Sequence, residues 1–324
     1  NYEKLNEEIK KNRTIINKFI FKNSICEIYI QYLNEEKDNV YYQKGFLIKN
    51  NNNFLIITVA HGINLKKLNE IYTKINNKKL NCSVLCIEYI FDICILKIND
   101  EIKSNIIVKN IKDDKDIKDL FEIKIPKKRE TVFLINDYSI PIVSIVDEYK
   151  KFTCTNFPII ELEAQEDIKK GDSGTVILNK QGKIIGILIQ MQEKNNKKYR
   201  ISPSIYIFRI LREYLLNEEY FGLCSIFPKM DYKKENKSEY LIIKNTYNLN
   251  YNIQPHKKEN LSRRHLKEND IIEYIDNKKF KFDKIEKIIK IKYDEINFDL
   301  DIFCYLALKC CTNETFTVGY FNSN

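Results

Sequence analysis

The sequence predicts a mainly β protein: a barrel or sandwich of short strands, followed by a second β-rich domain. Three observations carry this. Short apolar or alternating runs recur at near-regular spacing through the first two thirds of the chain, with few helical segments between them. One helical segment then closes that region. Beyond about residue 217 a polar stretch leads into a further set of strand-like runs.

In chain order, residues 3–20 carry Leu5, Ile9, Ile15, Ile16 and Phe19 among Glu, Lys and Asn, an amphipathic helix by spacing. Strands follow at 24–31, 40–49, 53–59, 83–89 and 93–98, then at 131–135, 140–146, 159–163, 175–179 and 183–191. Ser204 is an N-cap candidate for a helix built on Ile205, Ile207, Phe208, Ile210, Leu211 and Leu215. The polar stretch 229–237 reads as a loop, and 239–245, 306–311 and 315–320 as strands. The expected organisation is an N-terminal helical extension at 1–20, a first β domain at 21–216 and a second at 217–324.

Composition removes several function classes. An apolar content of 44% supports real cores, and the 31% of charged residues keeps the surface wet. The net charge of +9 is scattered, and runs such as Pro126-Lys127-Lys128-Arg129 are short and lack interleaved aromatics. That argues against a nucleic-acid interface. No apolar run approaches the roughly 20 residues of a membrane span. The opening Asn1-Tyr2-Glu3-Lys4 reads as the start of a polar helix, not as a signal peptide. The nine cysteines are odd in number, form no CxxC pair and sit in part within apolar strands, as in Phe91-Asp92-Ile93-Cys94. They predict free thiols in an intracellular reducing compartment. Cys82 and Cys86 are four apart, but three histidines in the whole chain argue against zinc. No metal or cofactor is expected.

Three short segments carry the chemistry. His61 ends an apolar strand in Thr58-Val59-Ala60-His61-Gly62. Asp92 precedes another in Phe91-Asp92-Ile93-Cys94-Ile95-Leu96. Ser173 stands in Gly171-Asp172-Ser173-Gly174, where two glycines permit a tight turn that exposes a hydroxyl. Acyl transfer by serine needs these groups: a hydroxyl nucleophile, an imidazole to carry its proton, and a carboxylate to fix the imidazole tautomer. It also needs backbone N–H groups aimed at the developing oxyanion, here those of the Gly171, Asp172, Ser173 turn. Each segment alone would more often be structural. All three together, in the order His, Asp, Ser and each at a strand edge, specify a triad. His61 has no competitor, since the other two histidines lie beyond residue 250.

This motif set resembles the trypsin-like serine proteases, and among them the HtrA/Deg type. The spacings of 31 residues from His61 to Asp92 and 81 from Asp92 to Ser173 are close to that family's. The run from Ile168 through Gly171, Asp172, Ser173, Gly174, Asn179, Gly182 and Gly186 is similar to the HtrA pattern without a gap. Arg200-Ile201-Ser202-Pro203 is similar to its strand-Pro-helix exit. The resemblance covers about residues 20–320 and implies a chymotrypsin-like double β-barrel protease domain followed by a PDZ-like domain. It also implies polypeptide substrates and a homo-oligomer, commonly a trimer. By the same resemblance Ile168, Ile189 and Met191 line the S1 pocket, which predicts an aliphatic P1. Asp167, six residues before Ser173, is the competing feature that would favour Arg or Lys.

The match has departures. Residue 172 is Asp, as in trypsins, where HtrA proteins usually have Asn. In trypsins that Asp pairs with a new N-terminal amine, and without an Ile-Val-Gly-Gly start Asp172 requires some other partner. Thr175 and Val176 replace the usual Gly-Pro and resemble viral chymotrypsin-like proteases. In the second domain, Tyr220-Phe221-Gly222-Leu223 resembles the carboxylate-binding loop of HtrA PDZ domains. The segment from Leu266 to Lys278 is similar to another PDZ signature, with Asn269 and Asn277 where Gly would supply positive φ. The expected function is a serine endopeptidase. The alternative is a catalytically silent scaffold that binds peptide C-termini through its PDZ-like domain.

Overall fold

The computed structural model describes residues 24–33, 40–102, 108–124, 126–135, 142–151, 158–164, 168–191, 198–218 and 220. Beyond these it describes 229–235, 238–245, 271–275, 278–279, 281–283, 288–293, 298–301 and 318–321. The helix expected at 3–20 and the strand expected at 306–311 lie outside these residues. The chain forms two compact units, Asn1–Phe221 and Gly222–Asn324.

The first unit holds two closed six-stranded barrels. Barrel one comprises β1 (Ile25–Tyr32), β2 (Val40–Asn50), β3 (Asn53–Thr58), β4 (Leu68–Ile75), β5 (Lys78–Glu88) and β6 (Ile93–Ile98), in the order β1-β2-β3-β6-β5-β4. Barrel two comprises β7 (Thr131–Leu134), β8 (Ile142–Lys151), β9 (Pro158–Ala164), β10 (Val176–Leu178), β11 (Ile184–Met191) and β12 (Lys198–Pro203). Its order, β7-β8-β9-β12-β11-β10, repeats that of barrel one. This is the double-barrel architecture that the motifs implied.

Side-chain alternation builds both cores. In barrel one Ile28, Ile30, Leu47, Ile56, Cys94 and Leu96 point inward and pack together. The residues between them, among them Phe46, Ile48, Leu55, Ile57, Ile93 and Ile95, are buried as well, on the opposite face of the same strands. Barrel two repeats the pattern, with Ile177, Ile185 and Leu188 inside and Val176, Ile184 and Ile187 buried outside. A fully buried Ile or Phe contributes about 1.5–3 kcal/mol, so the outward faces add their own cohesion to that of the interiors. Between the barrels the Ser202 hydroxyl donates to the Phe91 carbonyl at 2.7 Å, and the Phe91 ring stacks at 4.0 Å on Tyr206 of the helix that follows barrel two.

Two helices complete the unit: α1 (Asp114–Leu120) between the barrels and α2 (Ser204–Asn217) after the second. The sequence pattern missed β4 and α1, because each buries few apolar side chains. In β4 only Ile71 and Thr73 are buried. In α1 only Ile117 and Leu120 are, and the start is set by Asp113 accepting from the Asp116 N–H. The β4–β5 hairpin turns on Asn76 and Asn77, both at positive φ, as a two-residue primed turn requires. Ser204 does not cap α2. Pro203 occupies the cap position, and the Ser204 hydroxyl donates to the Glu122 carbonyl instead.

The second unit contains β13 (Lys229–Glu235), β14 (Ser238–Asn245), β15 (Ile271–Ile275), β16 (Lys278–Lys279) and β20 (Val318–Phe321) in one sheet. Strands β17 (Lys281–Asp283), β18 (Ile288–Tyr293) and β19 (Phe298–Asp301) form another. The stretch expected as a polar loop at 229–237 is therefore largely the strand β13, which among the described residues is an edge strand paired only with β14. Lysine is common on such edges, where it discourages pairing with other chains, and this hides the strand from a hydropathy reading.

Cys26, Cys82, Cys86 and Cys94 are buried free thiols. Burial pushes the Cys82 thiol up to about 12 and raises Cys94 further, so neither reacts as thiolate at neutral pH. Reductant is expected to leave the melting temperature unchanged. Mass spectrometry that found any of these four cysteines in a native disulfide would overturn the expectation.

Candidate active site

His61 lies three residues after the end of β3 and Asp92 immediately precedes β6, and these strands are hydrogen-bonded neighbours through Thr58 and Cys94. That pairing brings the two side chains together. His61 Nδ1 lies 2.7 Å from Asp92 Oδ2, while Oδ1 accepts from the backbone N–H groups of Ala60 at 2.9 Å and His61 at 2.7 Å. A carboxylate only accepts, so the ring proton sits on Nδ1 and Nε2 is left as the basic nitrogen. The hydrogen bond and charge of Asp92 raise the His61 pKa above its ordinary value, and desolvation opposes this. Asp92 itself has φ of 55°, a left-handed conformation that Asp tolerates better than most residues.

The turn at 169–174 comes from the other barrel. The Asp172 N–H donates to the Lys169 carbonyl at 3.1 Å, and Gly171 has φ of 99° at the third position, which is a type II turn. The Thr175 and Gly174 amides are also bonded, to Asp172 and Leu188 carbonyls. Among the described residues, the N–H groups of Gly171 and Ser173 have no acceptor. Two amides spaced around a serine and left open are what an oxyanion requires. The Asp172 amide is spent in the turn, so of the three residues expected at the oxyanion only Gly171 and Ser173 offer an N–H.

Strand β2 holds this turn against barrel one. The Lys44 N–H donates to the Ser173 carbonyl at 2.8 Å, and the Tyr42 hydroxyl to the Lys170 carbonyl at 3.2 Å. A Cβ on Gly174 would fall 1.9 Å from the Lys44 carbonyl oxygen and 2.9 Å from Thr58 Oγ1, at φ of 90°. Only glycine fits there. The Ser173 turn is thus seated beside Thr58, three residues before His61. The Ser173 hydroxyl makes no hydrogen bond among the described residues, so the structure joins His61 to Asp92 and docks Ser173 nearby without closing the last link. Such links are commonly long in ligand-free sites and tighten with substrate.

The sequence did not supply a partner for Asp172, and the structure does. Lys44 Nζ lies 3.0 Å from Asp172 Oδ1, with both side chains largely buried, and Oδ2 accepts from the Lys169 N–H at 2.8 Å. Nothing local in the sequence marks Lys44, which is one lysine among many.

Of the residues expected at S1, Ile168 is buried in the core of barrel two, its N–H donating to the Tyr199 hydroxyl. Ile189 is buried at a bulge in β11, where the register with β12 shifts. Met191 ends β11, while its side chain and all of Asp167 lie outside the described residues. In the loop expected to bind a carboxylate, the Tyr220 hydroxyl is bonded to Glu88 at 3.1 Å, and Phe221, Gly222 and Leu223 lie outside the described residues.

No family model matches the chain, and no curated protein does either. Solved structures do. The active form of the Rv3671c protease from M. tuberculosis aligns at a TM-score of 0.44 and 14% identity, covering 60% of this chain and 81% of that one. A structure of the HtrA-type protease AlgW with a decapeptide aligns at a TM-score of 0.54 and 10% identity, covering 86% of this chain and 93% of that one. At this identity the likeness is one of fold: the chain has the chymotrypsin-like double-barrel architecture of the HtrA-type, trypsin-like serine proteases.

Proposed function

We propose that the chain is a serine endopeptidase with His61, Asp92 and Ser173 as its triad. The observation that carries this is the His61–Asp92 pair, fixed in the tautomer that leaves Nε2 basic, beside a glycine-flanked serine turn with two open amides. Ser173 Oγ attacks the peptide carbonyl as Nε2 takes its proton, and the Gly171 and Ser173 N–H groups stabilise the oxyanion. His61 then returns the proton to the leaving amine. Water repeats the cycle on the acyl-enzyme. The Asp92 carboxylate holds the ring and stabilises the imidazolium.

The substrate class is read from the resemblance, which places Ile168, Ile189 and Met191 at S1, although Ile168 packs into the core of barrel two. An aliphatic lining of that kind would leave a buried P1 cation unpaired, a cost of several kcal/mol. An aliphatic P1 gains about 0.8 kcal/mol per buried methylene instead. The second unit is read as a PDZ-like domain that recruits chains by their C-termini. Its strand β15 falls within the segment from Leu266 to Lys278 that carries the PDZ resemblance. The test is a random peptide library with free or amidated C-termini, its products sequenced by mass spectrometry. Cleavage after Val, Ile, Leu or Met is expected, faster for long peptides with free C-termini. Arg or Lys at P1, abolished by Asp167→Ala, would overturn the pocket assignment, and equal rates for the two termini the recruitment role. No cleavage, with Ser173 unreactive towards a fluorophosphonate, would leave a scaffold.

A further inference from the structure

We propose that Lys44 is a positioning residue, an internal cation from barrel one that holds the oxyanion turn of barrel two in its working shape through Asp172. This rests on the reading of Ser173 as nucleophile.

Lysine is rarely buried, and Lys44 has a side chain only 6% exposed, against 12% for Asp172. A charge taken out of water must be matched by another, and these two match each other at 3.0 Å. The Asp172 carboxylate in turn fixes the start of the turn through the Lys169 N–H at 2.8 Å. Residue 172 lies between Gly171 and Ser173, whose amides must face the same point. Pinning its side chain inward therefore fixes the peptide planes on both sides of it.

Lys44 reaches three consecutive residues of the turn. Its ammonium holds Asp172, its N–H holds the Ser173 carbonyl, and its carbonyl lies where a side chain on Gly174 would be. Its own place is set in the sheet. Residue 44 pairs with Glu27 of β1, its carbonyl accepts from Thr58 Oγ1 at 2.6 Å, and the neighbouring Gln43 amide donates to Thr58 Oγ1 and the Val59 carbonyl. The strand that leads to His61 thus also anchors the cation that shapes the oxyanion site. Competence of Ser173 becomes a property of the docked pair of barrels, with the counter-charge for Asp172 supplied from inside the chain.

The experiment uses the full chain and a fluorophosphonate probe, and reads the second-order labelling rate per folded molecule. It compares wild type, Ser173→Ala, Lys44→Met and the double variant Lys44→Met with Asp172→Asn. Lys44→Met leaves a buried carboxylate without its cation, and labelling is expected to fall by about 10²–10³, the cost of a lost oxyanion donor. The double variant removes both charges of this pair, and labelling is expected to return to within about ten-fold of wild type. It carries the comparison if the single variant does not fold. A merely structural ion pair would lower the melting temperature and leave labelling per folded molecule unchanged. Labelling of Lys44→Met at or above the wild-type rate overturns the proposal, as does a double variant no faster than about 10² below wild type. A wild-type chain that reacts no faster than Ser173→Ala overturns the nucleophile assignment, and the role of Lys44 with it.

Discussion

Ser173→Ala and His61→Ala are each expected to lower peptide hydrolysis by about 10⁴–10⁶ with the fold intact. The effect is large because the two groups act as one unit. Without the hydroxyl there is no acyl-enzyme, and without Nε2 the hydroxyl keeps its proton. For the same reason the double variant is expected to be no worse than either single one. What activity remains comes from the open amides of Gly171 and Ser173. Stability is spared because the Ser173 hydroxyl makes no hydrogen bond among the described residues, and the His61 side chain is 48% exposed. Fluorogenic peptide turnover beside thermal unfolding measures both. Full turnover by Ser173→Ala would end the assignment.

Asp92→Asn is expected to lower kcat/KM by about 10⁴ through the tautomer of His61 alone. Asn tolerates the left-handed backbone at this position and still accepts from the Ala60 and His61 N–H groups through its carbonyl oxygen. Its amide group then faces Nδ1 as a donor, which drives the ring proton to Nε2 and removes the base. The pH profile gives a second readout. His61 is raised above its ordinary value, so wild-type activity falls as pH drops through a value higher than an unperturbed histidine's. In Asp92→Asn the residual activity is expected to show that limb at lower pH. The pair's stability contribution has the opposite sense: it is complete below the ordinary histidine pKa and lost as pH rises through the raised one. It is small, because the ring is half exposed. An acid limb that does not move in Asp92→Asn would show that Asp92 does not hold the ring.

Much of this protein is written in short stretches of chain. The alternation in β1 and the doubly buried run of β6 are periodic, so the barrel strands are legible without coordinates. His61, Asp92 and Ser173 are legible because each lies at the end of such a run or in a turn whose glycines are required locally. The lysine-rich β13 and the helix α1 were not legible, since an edge strand and a two-turn helix bury too little to leave a pattern. The partner of Asp172 was not legible for a different reason. Lys44 stands 128 residues upstream, on a strand of the other barrel, and one lysine in a charged chain carries no local mark of the carboxylate it will meet. The sequence by itself determined most of the barrel strands and the glycine-flanked turn, and it marked His61, Asp92 and Ser173 as candidates, because each of these readings depends on near neighbours in the chain. Which charge is buried against Asp172, and that the Ser173 turn is seated beside Thr58, were decided only when the barrels closed and docked, because burial and pairing of charge are properties of the packed molecule.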